Sequence, residues 1–232
     1  MIAVIGCPVY RRPMEGMPDA VVGMPALIAE AAAAAGARVE LIGRIGGDRA
    51  GDAVLLALAR SGVGHAAMLR DPARPTRVAA ARLDDDGEPL VPLAGLRSDE
   101  DAGDDRLTTL PAVTDDASTA PSLEQGDVEL GLRYVREYRV VVVAETLGGA
   151  PAREAADAAV FADAALIAVV PPSGEVPAAF VGATVIAAPD ADPDGAFAAL
   201  IGRYAAALDA GGDPSAAFAE ARAAAGWEPS AS

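Results

Sequence analysis

Two textures alternate along the chain: short runs in which nearly every position is apolar, and longer Ala-rich runs in which apolar residues recur every three or four positions. The first suits strands buried on both faces and the second suits helices with one buried face. Ile2–Ile5 predicts an opening strand. Residues 25–35 predict an Ala-rich helix that Gly36 ends in a left-handed cap, and residues 38–42 a second strand. Arg49–Arg60 carries Val54, Leu55 and Leu58 at helical spacing and stops near Gly62, before a strand over residues 66–69.

The pattern then changes. Residues 77–83 and 88–93 flank Asp84-Asp85-Asp86-Gly87, and Asp-Gly between two β-compatible runs predicts a hairpin over about 77–93. Residues 97–123 are acidic, rich in Ser, Thr and Pro, and weakly periodic, which predicts an irregular surface segment. Alternation resumes with a helix over 127–137 capped by Asp127 and a buried strand over 139–144. A helix over 152–162 follows, then buried strands over 164–170 and 183–187, and helices over 193–208 and 214–225 close the chain. The expectation is a single α/β domain over 1–232, a mostly parallel sheet with helices on both faces and the hairpin as an excursion.

Composition narrows the chemistry. Hydrophobic residues make up 52% of the 232 and aromatics 4%, so the core must be built from Ala, Val, Leu and Ile. The net charge of -16 repels nucleic acid and anionic membrane and reads as a solubility device. No apolar run is long enough for a membrane span, and the N-terminus lacks a basic leader, so the expected location is the cytoplasm. Cys7 is the only cysteine, which excludes an intrachain disulfide. His65 is the only histidine; it reads as structural and excludes multi-His metal sites. There is no Lys and no Asn, so P-loop and Schiff-base chemistry are excluded, as is any site that needs an asparagine amide.

Residues 34–51, AAGARVELIGRIGGDRAG, place a helix end, G-A-x-V and I-G-x-I-G-x-D-x-x-G in succession. Downstream come Leu58 to Val63, Arg70-Asp71, Pro75-Thr76 and Asp86-Gly87-Glu88. This order resembles the N-terminal signature of the PfkB/ribokinase family of carbohydrate kinases. The resemblance implies a ribokinase-like α/β fold with a β-hairpin lid that covers a sugar site and often makes a dimer. Gly43, Gly46, Gly47 and Gly51 are expected in a strand-to-helix turn, where sharp bending favours glycine. Gly23, Gly46, Gly47 and Asp48 are the candidate substrate-binding residues.

The functional motifs depart from the family pattern. Where the family has a motif resembling G-G-x-x-x-N, this chain has residues 22–27, VGMPAL, with Leu27 at the asparagine position. Where a family Asp contacts sugar hydroxyls, residues 7–11 read CPVYR. The family's D-T-x-G-A-G-D-x-F builds an anion hole from backbone N–H groups and supplies the Asp that takes the acceptor's proton. Aligned on Ala196-Phe197, this chain has Gly195 at the base position, Pro193 without an N–H, and Asp192 and Asp194 in place of glycines. Two like charges about 4 Å apart repel by about 4 kcal/mol at an effective dielectric near 20. Losing one oxyanion-type donor costs about 3 kcal/mol more. The Mg-associated N-x-x-E motif cannot exist without Asn, and the middle of the chain lacks a strand–helix unit where the resemblance puts the nucleotide site.

The same residues also have a structural reading. Asp192 suits an N-cap, Pro193 the first helical position and Asp194 the first turn, as Asp213-Pro214 does for the last helix. The favoured function is a family homologue that binds a small molecule (a sugar or nucleoside) or a partner without transferring phosphate, with no cofactor. One alternative is an active kinase using ATP and Mg²⁺, with Asp194, Asp192 or Asp190 as a displaced base. Another is a structural protein that dimerises through the lid hairpin.

Overall fold

The computed structural model describes residues 1–12, 20–79, 82–83, 89–90, 120–172, 174–192 and 194–227. Six parallel strands form the central sheet: β1 (Ile2–Ile5), β4 (Val39–Gly46), β5 (Met68–Asp71), β9 (Val140–Val143), β10 (Ala165–Val170) and β11 (Thr184–Ala187). Their spatial order is β11-β10-β9-β1-β4-β5. The order reverses around β1, which pairs with β4 on one side and β9 on the other. Such a switch point leaves a crevice at the carboxyl ends of the strands.

Helices cover both faces. The helices α1 (Met24–Ala34), α2 (Arg49–Arg60), α5 (Ala196–Asp209) and α6 (Pro214–Ala225) share one core with Ile2, Val4, Val140 and Val142. The helices α3 (Gln125–Tyr134) and α4 (Gly149–Phe161) share the other with Ala3, Ile5, Val141 and Val143. Alternate residues of one strand thus feed opposite cores, which is why an unbroken valine run reads as a central strand. All four valines of β9 are fully buried, each contributing about 1.5–3 kcal/mol.

Several elements differ from the sequence reading. The strand expected over 38–42 runs on to Gly46, paired residue by residue with β5. Gly43 and Gly46 therefore lie inside a strand rather than in a turn. Close packing requires Gly46: a Cβ there would lie 2.4 Å from the Thr76 amide nitrogen. Gly51 sits in the first turn of α2, where a Cβ would lie 2.4 Å from the Gly46 carbonyl oxygen. Asp127 is not the cap of α3 but its third residue; Glu124 caps, and the two close a capping box. The chain enters α4 a turn earlier than expected, and α5 begins at Ala196 instead of residue 193. The strand over 183–187 forms as β11 but is not buried, because it is the outermost strand of the sheet, with Thr184, Val185 and Ala187 exposed.

A second, small sheet was not foreseen. It consists of β2 (Val9–Arg11), β3 (Ala20–Val22) and β6 (Val78–Ala79), in the order β3-β2-β6. The hairpin survives as two short antiparallel strands, β7 (Arg82–Leu83) and β8 (Pro89–Leu90). Its Asp84 to Gly87 turn, residues 97–119 of the acidic segment, and Pro193 lie outside the described residues.

Candidate functional site

The carboxyl edge of the sheet gathers the polar chemistry. At the end of β9 the apolar run stops at Ala144, and Glu145 follows, 6% exposed. One Glu145 oxygen accepts from the Cys7 amide at 2.6 Å, and the other pairs with an Arg77 guanidinium nitrogen at 2.7 Å. The same guanidinium nitrogen donates to the Pro121 carbonyl at 3.2 Å. The ends of β1 and β9, the start of β6 and the segment entering α3 are thereby tied together. Beside them lies a cleft of about 440 Å³, walled by residues 122–125 on one side and by 145–148, Ala150 and Pro151 on the other. Burial, and then the adjacent Glu145 charge, push the Cys7 thiol up, so it stays protonated and unreactive. Arg44, projecting from β4, lies 3.2 Å from Asp127 and 3.7 Å from Glu124, which anchors the start of α3.

Of the sequence-predicted residues, Asp48 is wholly engaged. One oxygen accepts from the Gly51 amide at 2.8 Å and the Thr76 hydroxyl at 2.6 Å; the other accepts from the Thr76 amide at 2.9 Å. Thr76 in turn accepts from the Gly46 amide at 2.9 Å. Burial alone would raise the Asp48 carboxyl. The Thr76 hydroxyl and the Gly51 and Thr76 amides outweigh it and hold the group below its ordinary range. Gly46 and Asp48 thus clasp residues 74–76, which lead into the lid strands, while Gly47 is exposed beside them. Gly23 precedes α1 with a φ of 89° and packs near Val9.

The three C-terminal aspartates do not converge. Asp190 and Asp194 are exposed, whereas Asp192 is 4% exposed. The Asp192 carboxylate accepts from the amides of Phe197 at 3.0 Å and Ala198 at 2.9 Å, so it sits against the N-terminus of α5. Gly195, in a left-handed conformation, is the cap position, and Asp192 reaches past it from three residues upstream. The chain leaves β11 at the carboxyl edge, so this helix start belongs to that edge. Phe197 is fixed by Trp227, with ring centroids 5.7 Å apart. Among the described residues, no group of three His, Cys, Asp or Glu side chains is arranged to hold a metal ion. Nor is any helix among them long and apolar enough to cross a membrane.

Sequence reasoning missed Glu145, Arg77 and Arg11. A signal for Glu145 existed: one carboxylate directly after a strand buried on both faces falls at the ligand-binding edge of a parallel sheet.

A parallel sheet reversing at β1, helices on both faces and small strands over the carboxyl edge define the ribokinase-like fold. The protein Sa239 superposes with a TM-score of 0.68 at 12% identity, over 99% of this chain and 95% of that one. Arabidopsis thaliana ribokinase, complexed with ribose and ATP, gives 0.58 at 16% identity, over 97% and 90%. A PfkB protein from Polaromonas sp. JS666 gives 0.61 at 15% identity, over 97% and 94%. No curated protein matches the chain in sequence. Residues 22–102 match the model of the pfkB family carbohydrate kinases, and the fold is shared with solved ribokinase and PfkB structures.

Proposed function

We propose that this protein binds a small polyhydroxy molecule, a sugar or nucleoside, at the carboxyl edge of its sheet and does not transfer phosphate to it. The single observation that carries this reading is the Asp192 carboxylate bonded to the first-turn amides of α5. A helix N-terminus is a natural anion site. Here the chain's own anion takes it, and a phosphate approaching it would meet like charge at close range. The expected base position holds Gly195, which has no side chain to accept a proton. Residues here therefore do not fit magnesium and nucleotide. Glu145 supports the binding half: it is a buried carboxylate at the switch point, beside a cleft of a size that suits a sugar.

The test is acceptor-dependent ADP release from ATP and Mg²⁺ over a panel of pentoses, hexoses and nucleosides. No release is expected above the acceptor-free background, while calorimetry detects binding of at least one panel member. Turnover that disappears in the Asp194→Ala variant would replace this reading with that of a kinase using a displaced base.

A further inference from the structure

The small lid sheet carries a cation, Arg11, that no carboxylate among the described residues neutralises. Strand pairing fixes its faces: Arg11 is opposite Ala20 on β3 and Ala79 on β6, and Val9 is opposite Val22. Paired residues share a face, so Val9, Arg11, Ala20, Val22 and Ala79 lie on one side of the sheet. Val9, Val22 and Ala79 are buried together there. Tyr10 and Val21 lie on the other side, packed into the core that contains α2. Arg77, two residues before Ala79 and extended beside Tyr10, falls on the Arg11 side and reaches Glu145 from it. The Arg11 face is thus the one turned toward the Glu145 cleft. Neighbouring strands are about 4.8 Å apart and rise about 3.3 Å per residue, so the Cα atoms of Arg11 and Arg77 are about 8 Å apart. Two guanidinium groups on stems of that length can meet on one ligand.

The two arginines differ in their partners. Arg77 is matched by Glu145. The Arg11 Nε is buried with no hydrogen-bond partner, and among the described residues no carboxylate pairs with its guanidinium. Exposed arginines commonly stand alone, but three described arginines are half-buried, and of these Arg44 and Arg77 meet carboxylates while Arg11 does not. It also stands in the stretch where the family resemblance implies a sugar-binding carboxylate, so the charge offered to a ligand there is inverted. A guanidinium fork is shaped to take a carboxylate or a phosphate oxygen pair.

Resting on the small-molecule reading above, we propose that the ligand is anionic: a polyhydroxy compound bearing a carboxylate or phosphate group, which Arg11 binds while Glu145 accepts from its hydroxyls. The charged group is then a recognition handle, held away from the α5 N-terminus that Asp192 fills.

The test is calorimetry on the full chain with matched ligands: ribose, ribonate and ribose 5-phosphate; fructose, gluconate and fructose 6-phosphate; and inorganic phosphate alone. At least one anionic member is expected to bind about tenfold or more tighter than its neutral counterpart. The Arg11→Gln variant should lose that preference, while its melting temperature without ligand stays within a few degrees of the parent. Phosphate-bearing and carboxylate-bearing arms separate the two sources of charge. Neutral members binding as tightly as anionic ones, or an anion preference untouched in Arg11→Gln, would overturn the inference and leave the small-molecule reading standing. Inorganic phosphate binding as tightly as the sugar phosphates would overturn it in favour of a bare anion site. If no member binds, both readings fall.

Discussion

The turn after β4 and the turn after β11 each press an aspartate against the start of a helix, yet the two aspartates hold different things. Asp48 bonds to the first turn of α2 and also to Thr76, 28 residues away, so it joins two distant segments. The Asp192 carboxylate, among the described residues, bonds to the helix that follows it. The first turn lies in the stretch that resembles the family signature and the second in the stretch that departs from it. A residue that holds the lid's root in place is needed whether or not the protein does chemistry. On the proposed reading the start of α5 does no phosphoryl transfer and needs only a cap, and the chain supplies one.

That contrast can be broken at several points, beginning with the largest effect. Gly46→Ala would drive a methyl group into the backbone at Thr76, which cannot swing aside as a side chain can. A loss of about 3 kcal/mol or more is expected, read from the urea midpoint. Asp192→Ala should cost about 2–3 kcal/mol by leaving first-turn amides unbonded in a buried setting. The sharper measurement is phosphate dependence: added phosphate should raise the melting temperature of Asp192→Ala by more than it raises that of the parent or of Asp48→Ala. Asp48→Ala should cost about 2 kcal/mol, and it should also speed proteolysis near residues 74–79, which Asp192→Ala should not.

The smallest effect is a pH dependence. The folded Asp48 carboxyl lies below its ordinary value of 3.8. The unfolded chain therefore binds the proton more readily, and the stability that Asp48 contributes is fully present above that value. It is lost as pH falls below it. Asp48→Asn should flatten this acid limb of the stability curve. An unchanged limb would mean that other carboxylates govern it.

Much of the fold was legible because burial on both faces leaves a strong mark. Residues 140–143 could be little but a central strand, and Arg49–Arg60 and Pro214–Ala225 fall where periodicity and the Asp213 cap put them. The lid strands were not legible. Three residues such as Val9–Arg11 carry no usable period, and their partners lie at Ala20–Val22 and Val78–Ala79. The exposure of β11 escaped for a related reason, since an apolar run does not say whether a neighbour will cover it. At the candidate site, Gly195 and the acidic charge at the α5 entrance were legible residue by residue. The inward reach of Asp192 past Gly195 was not, because a cap three positions upstream depends on the conformation of the intervening turn. The Arg77–Glu145 pair needed two elements 68 residues apart to be brought to one edge.

Because Asp192 is tethered beside the amides it occupies, it competes with any dissolved anion at an effective concentration of millimolar or above. Cellular phosphate compounds would have to outbid an occupant that never diffuses away. The entrance to α5 is therefore closed by covalent connection, and no change in metabolite level should open it.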